Sequence, residues 1–246
     1  MKNTQIYAHR GSKGTHPENT MIAFKEALRV GADGIEFDVH LSSDGELVII
    51  HDETLDRTTT LSGYVKDFSA EELKSADAGS KFSEEFHGEK IPFLGEIFQW
   101  AKEHTLWMNI ELKTDKLPYE GIEKKVVDVI RQHHMENRVI LSSFNHRSIE
   151  NVKTLAPELE RALLFEGLPA NVVEILAEKK EAGFHPDKNS LTPSIHATAK
   201  KLGYKVRPWV ANKPEDIERL VKWGVDVIMT DFPEKAITTL KGMSAK

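Results

Sequence analysis

The sequence contains no cysteine. Thiol nucleophiles, thiolate metal sites and disulfides are therefore excluded, and the lack suits a reducing compartment. Nor does any apolar run approach the roughly 20 residues that a membrane-spanning helix requires. The opening MKNTQIYAHR passes at once into a strand pattern, without the basic start and long apolar stretch of a signal peptide, so a soluble, cytoplasmic protein with no stable membrane insertion is expected. A basic surplus is also missing. With 33 lysines and arginines against 39 acids the formal net charge is −6, which disfavours nucleic acid as a partner and favours a small soluble substrate. The chain itself is not short: 246 residues can bury a core without staples, and they suit one domain of barrel size.

The most informative stretch is GIEFDVHLSSDGELVIIHD, Gly34 to Asp52. Ile35, Phe37, Val39 and Leu41 alternate with Glu36, Asp38 and His40, the period-two pattern of a strand with one apolar and one polar face. Such a polar face is often only a solvated surface. Ser43-Asp44-Gly45-Glu46 reads as a tight turn, because Asp-Gly tolerates the positive φ angles of a two-residue type I′ loop, and Leu47 to His51 then returns antiparallel. With Asp44 and Gly45 as the loop, Leu41 faces Val48 and Asp38 faces His51. A slip of one residue would turn His51 to the other face.

Before this hairpin, Gln5 to His9 forms a short strand and Pro17-Glu18-Asn19-Thr20 opens a helix, with Asn19 or Thr20 as N-cap, that runs to Gly31. After it, 53–88 reads as an excursion with one short helix near Ala70 to Ser75. Helices are then expected over Pro92 to Lys102, Gly121 to His133, Ser148 to Thr154, Ala170 to Lys180, Thr192 to Leu202 and Pro214 to Trp223. Strands are expected over Trp107 to Lys113, Val139 to Phe144, Arg161 to Phe165, Gly183 to Pro186, Lys205 to Val210 and Val225 to Thr230. Leaving out the return strand, this makes eight β-then-α units, the arithmetic of a (β/α)8 TIM barrel, with catalytic groups at the strands' C-terminal ends. The expected organisation is a single domain over 1–246 with a small insertion at about 53–88. A doubly wound sheet would normally carry a glycine-rich phosphate turn after its first strand, and here that turn is His-Arg-Gly-Ser-Lys-Gly.

His9, Glu36, Asp38, Glu111 and Lys113 all fall near strand C-termini. Three carboxylates from two strands make a hard oxygen cluster suited to Mg²⁺ or Ca²⁺, and their mutual repulsion argues for a bound cation, although salt bridges with Arg10 and Lys113 would also account for them. His9 and His51 could serve as an acid/base pair. The guanidinium of Arg10 and the amine of Lys113 add charge suited to phosphate. His16, His104 and the His133-His134 pair read as exposed, and His40 as lying too far toward the turn to be catalytic.

His9-Arg10-Gly11, Pro17-Glu18-Asn19-Thr20, Gly34-Ile35-Glu36-Phe37-Asp38-Val39, His51-Asp52 with Leu55-Asp56-Arg57-Thr58-Thr59, and Glu111-Leu112-Lys113 together resemble the glycerophosphodiester phosphodiesterase family. The likeness continues through Ser143-Phe144, Trp209 with Ala211-Asn212, Gly224-Val225-Asp226 and Thr230-Asp231-Phe232-Pro233, and so spans nearly the whole chain. It implies a (β/α)8 barrel with a small insertion, and hydrolysis of glycerophosphodiesters, such as glycerophosphocholine or glycerophosphoethanolamine, to glycerol 3-phosphate and an alcohol. It further implies His9 and His51 as the acid/base pair, Glu36, Asp38 and Glu111 as ligands of a divalent metal, and Arg10 and Lys113 as phosphate contacts. Trp209 is expected as an apolar wall against the glycerol. Two rivals differ in what they need. A phospholipase would want apolar or cationic loops able to touch a bilayer, whereas 53–88 is charged and sparsely apolar. A non-catalytic binding barrel would be expected to lack one histidine, and both are present.

Overall fold

The computed structural model describes residues 4–244, so the outermost residues of the expected 1–246 domain lie outside the described residues. Strands β1 (Gln5–His9), β2 (Gly34–Leu41), β4 (Trp107–Leu112), β5 (Val139–Ser143), β6 (Glu160–Phe165), β7 (Gly183–Pro186), β8 (Lys205–Val206) and β9 (Val227–Thr230) run parallel in the order β8-β7-β6-β5-β4-β2-β1-β9. Backbone bonds from Asp226 N to Val206 O (3.0 Å), Met229 N to Pro208 O (3.1 Å) and Ala211 N to Met229 O (2.9 Å) join the two ends of that order into a ring. Helices α1 (Met21–Val30), α3 (Leu94–Ala101), α4 (Ile122–Gln132), α5 (His146–Leu155), α6 (Val172–Lys179), α7 (Pro193–Lys201), α8 (Pro214–Trp223) and α9 (Pro233–Ser244) alternate with the strands. The fold is the expected (β/α)8 TIM barrel.

The alternation in β2 and β4 builds two layers. Ile35, Phe37, Val39, Met108, Ile110 and Leu112 face outward and pack with Phe24 of α1, Ile97 and Phe98 of α3 and Val126 of α4. Their polar neighbours face the barrel axis. The polar face is no solvated surface, for Glu36, Asp38 and His40 are 3%, 1% and 0% exposed. Strand β8 is shorter than the expected Lys205 to Val210, because Pro208 has no N–H to give to a ladder. The chain resumes contact at Trp209, whose N–H donates to Pro186 O at 3.0 Å.

The hairpin register differs from the expected one. In the pair of β2 with β3 (Leu47–Ile49), Val39 faces Ile49, His40 faces Val48 and Leu41 faces Leu47. The loop therefore holds three residues: Gly45 N bonds Ser42 O, and Gly45, at φ +81, closes the turn, the type I plus left-handed geometry that also favours glycine. Ile50, whose N–H donates to Asp38 O at 3.2 Å, stands where His51 was expected.

The segment 53–88 has one six-residue helix, α2 (Ala70–Ser75), and closes over Val48, Ile50, Leu55, Val65, Leu73 and Phe93. At the entry to α1, Thr20 is the N-cap: its hydroxyl donates to Pro17 O (2.6 Å) and accepts from Ala23 N (3.4 Å), and the residue is fully buried. Thr20→Ala should cost about 1–2 kcal/mol, read as a lower urea midpoint at unchanged slope.

Candidate active site

Parallel register sets the side chains level. His9 at the end of β1 is beside Glu36 of β2, and Asp38 of β2 is beside Glu111 of β4. All point to the axis at the C-terminal mouth, where a cleft of about 470 Å³ is lined by His9, Arg10, Glu36, His51, Glu111, Lys113, Phe144 and Trp209 among others. Glu36, Asp38 and Glu111 each bring an oxygen to within 4.8 Å of the other two.

Each histidine is held from behind by a carboxylate. The His9 Nδ1 is 2.7 Å from Asp231 Oδ1, and Asp231 Oδ2 accepts from Asn212 Nδ2 at 2.7 Å. The His9 Nε2 is left toward the cleft, 3.9 Å from Glu36 Oε2. The His51 Nδ1 is 2.6 Å from Asp52 Oδ1, and its Nε2 is 3.4 Å from Lys113 Nζ. His51 reaches the cleft although the register was read one residue off, because the chain leaves the ladder after Ile50 and bends. His40 helps fix that bend. Fully buried, its Nδ1 lies 2.9 Å from Tyr119 Oη and its Nε2 donates to the His51 carbonyl at 3.0 Å.

Burial raises Glu36 well above the ordinary carboxylate range, and the charges of Asp38 and Glu111 push the same way. Burial likewise raises Glu111 to about 7 against the opposing pull of Lys113. Asp38 is lowered instead: burial would raise it, but Arg10, His51 and Lys113 outweigh that. Burial pulls both His9 and His51 below the usual imidazole value, opposed chiefly by Asp231 at His9 and by Asp38 at His51.

The salt bridges weighed from sequence are present. Lys113 Nζ donates to Glu111 Oε1 at 2.8 Å and Arg10 Nε is 3.4 Å from Asp38 Oδ2. They do not exhaust the acids. Asp38 Oδ1 is buried with no hydrogen-bond partner among the described residues, and Glu36 is under pressure to take up a proton. An orphaned oxygen among three hard donors fits a divalent cation. Trp209 stands in the cleft wall, its Nε1 donating to His185 O at 2.9 Å and its ring 5.7 Å from that of Phe144, edge to face.

Sequence reasoning gave no role in the cleft to Asp231, Asn212, Asp52, Glu18 or Arg57, which entered within the motifs of the resemblance, and offered Asn19 only as a helix N-cap. Asn19 Nδ2 donates to Asp38 Oδ2 at 2.9 Å, from a left-handed backbone position at φ +55 that asparagine tolerates. Asp52 adjoins His51 in sequence and could have been found that way. Asp231 becomes a neighbour of His9 only because closure puts β9 beside β1.

Comparison with known proteins follows the same line. The profile of the glycerophosphoryl diester phosphodiesterase family matches residues 9–235. A glycerophosphodiester phosphodiesterase of Caldanaerobacter subterraneus subsp. tengcongensis is 46% identical over 97% of this chain and 98% of its own, and one of Bacillus altitudinis is 42% identical over 95% and 97%. A phosphodiesterase of Oleispira antarctica, solved with its product sn-glycerol-3-phosphate, superposes with a TM-score of 0.90 at 33% identity and 96% coverage of both chains. Among the described residues no helix is long and apolar enough to cross a membrane. With its barrel, its acidic and imidazole-lined cleft, and relatives matching almost end to end, the chain belongs to the glycerophosphoryl diester phosphodiesterase family and is an enzyme, a phosphoric diester hydrolase acting on glycerophosphodiesters.

Proposed function

We propose that the cleft hydrolyses small soluble glycerophosphodiesters of the glycerophosphocholine and glycerophosphoethanolamine type in the cytoplasm. The products are sn-glycerol 3-phosphate and the free alcohol. His9 and His51 act as the acid/base pair, with their Nδ1 atoms tied to Asp231 and Asp52 so that proton transfer falls to each Nε2, that of His51 lying 3.4 Å from Lys113 Nζ. One imidazole takes the proton of the attacking hydroxyl. The other gives a proton to the departing alkoxide as the P–O bond breaks. Arg10 and Lys113 draw in and orient the phosphodiester anion, and Trp209 with Phe144 gives an apolar wall to the glycerol carbons.

Glu36, Asp38 and Glu111 would hold a divalent ion, Mg²⁺ or Ca²⁺. Such an ion supplies charge neutralisation at phosphoryl oxygens and a lowered pKa for a bound hydroxyl. The observation that carries this reading is the convergence of two carboxylate-backed imidazoles on one cleft with three buried acids. Incubation of the purified protein with glycerophosphocholine and Mg²⁺ or Ca²⁺ should release glycerol 3-phosphate, measured by a coupled dehydrogenase assay. Failure to release it from any glycerophosphodiester, with both ions tried, would sink the proposal.

A further inference from the structure

Arg57 belongs to the inserted segment and is absent from the lining of the catalytic cleft. It faces a separate cavity of about 230 Å³ with Lys13, Lys81 and Phe82, and its side chain is 47% exposed. Its guanidinium nevertheless spans two carboxylates, each with two bonds. Nε and Nη2 donate to Asp52 Oδ2 (2.7 Å) and Oδ1 (3.1 Å), and Nη1 and Nη2 donate to Glu18 Oε2 and Oε1 (2.8 Å each). Beyond those acids lie two groups of the cleft: Asp52 Oδ1 holds His51 Nδ1 at 2.6 Å, and Glu18 Oε1 accepts from Arg10 Nη1 at 2.8 Å.

We propose that Arg57 is a positioning residue, one that from outside the cleft fixes His51 through Asp52 and Arg10 through Glu18. The inserted segment thereby sets the geometry of both.

A planar fork suits this task, because a single ammonium cannot serve two carboxylates bidentately. With the Arg57 side chain 47% exposed and that of Asp52 27% exposed, solvent screens these pairs and their share in stability is modest. The bidentate geometry and the 9%-exposed Glu18 keep it above that of an isolated surface pair. The geometric effect is larger. Freed from Arg57, Asp52 can turn and take the His51 ring with it, and a misplacement of about 1 Å can cost on the order of 10²-fold in rate. Through Glu18, the same loss unmoors the Arg10 guanidinium, which lowers affinity for the phosphodiester.

This inference rests on the proposed roles of His51 and Arg10, so its test carries a His51→Ala enzyme beside Arg57→Ala. For Arg57→Ala, kcat on glycerophosphocholine should fall and KM rise, together about 10²-fold in kcat/KM, with the thermal midpoint little changed. Guanidinium chloride at low, non-denaturing concentration should restore part of the rate by entering the exposed gap, whereas methylammonium at equal ionic strength should not. Arg57→Lys should remain impaired. If Arg57→Ala does not fold, Glu18→Gln decides the matter. With one oxygen left it cannot accept from both nitrogens of the Arg57 fork and from Arg10, so it weakens the arm that runs from Arg57 to Arg10 and leaves the Asp52 arm in place. It should raise KM more than it lowers kcat. Parental kcat and KM in folded Arg57→Ala, or a parental KM in Glu18→Gln, overturns the inference while His51→Ala is inactive. An active His51→Ala enzyme overturns the catalytic reading itself and the inference with it.

Discussion

Replacing His9 with alanine should lower kcat on glycerophosphocholine by about 10²–10⁴-fold while leaving the thermal midpoint close to that of the parent. The size follows from the geometry. His9 presents Nε2 to the cleft 3.9 Å from Glu36 Oε2, its other nitrogen is tied to Asp231, and the described structure puts no second imidazole in that position. The fold should survive because Asp231 keeps its bonds to Asn212, through Oδ2 at 2.7 Å and through its own N–H to Asn212 Oδ1 at 2.9 Å. Asp231→Asn is the sharper companion. An amide there would donate to Nδ1 and force the ring proton onto Nε2, so the ring would point the right way in the wrong tautomer. Its kcat should fall as well, with KM little changed, because the proposed phosphate contacts, Arg10 and Lys113, are untouched. Steady-state kinetics and a melt on each purified enzyme check both. A folded His9→Ala enzyme with a double-digit percentage of parental activity would remove His9 from the acid/base pair.

That histidine was legible in the sequence for a simple reason: it ends a strand, and barrel strands deliver their last residues to one mouth. Glu36, Asp38 and Glu111 were legible in the same way, from alternation along β2 and β4. The meaning of that alternation was not decided by pattern alone. Apolar-polar periodicity is equally the signature of a sheet with a wet face, and only the closure of the barrel makes the polar side an interior. The hairpin register shows the opposite limit. Asp44-Gly45 satisfies both a two-residue and a three-residue loop, which differ by one residue in pairing, and local chemistry does not separate them. His51 nonetheless reached the cleft, because its place depends on the bend after β3, anchored by His40, more than on the ladder. Of the partners behind the histidines, Asp52 stands next to His51 in sequence, whereas Asp231 was the least legible. Asp231 is 222 residues from His9 and carries no periodic signal. Arg57 lies in an irregular segment whose path follows from its small apolar cluster around Leu55 and Val65, and no short motif rule describes that.

Removing the proposed divalent ion should abolish turnover, and it should also change how stability responds to pH. Without a cation, Glu36 and Glu111 have native-state values above their ordinary ones, Glu111 at about 7. A carboxyl raised on folding binds more protons in the native than in the unfolded state, so its contribution to stability falls as pH rises from the unfolded value to the folded one. The buried, depressed histidines act oppositely below about pH 6.5, where the unfolded chain takes up the protons. Comparing melts with and without ion at each pH largely cancels the histidine contribution. The ion-induced rise in thermal midpoint should therefore be small near pH 5, where protons compete for the carboxylates, and keep growing through pH 7 to pH 8 as Glu111, at about 7, gives up its proton. At an ion concentration a hundred times Kd the gain is about 2.7 kcal/mol, or roughly 5–10 °C for a chain of this size. Glu36→Gln sharpens the test, since it removes one of three crowded charges and keeps an oxygen for the Arg10 N–H, now 3.0 Å from Glu36 Oε2. At pH 8 that variant should melt above the chelated parent and still be inactive, as expected where a cluster is maintained for function at the expense of stability. If EDTA leaves the native rate unchanged, or if the ion-induced shift is the same at pH 5 and pH 8, the three acids serve some purpose other than holding a cation.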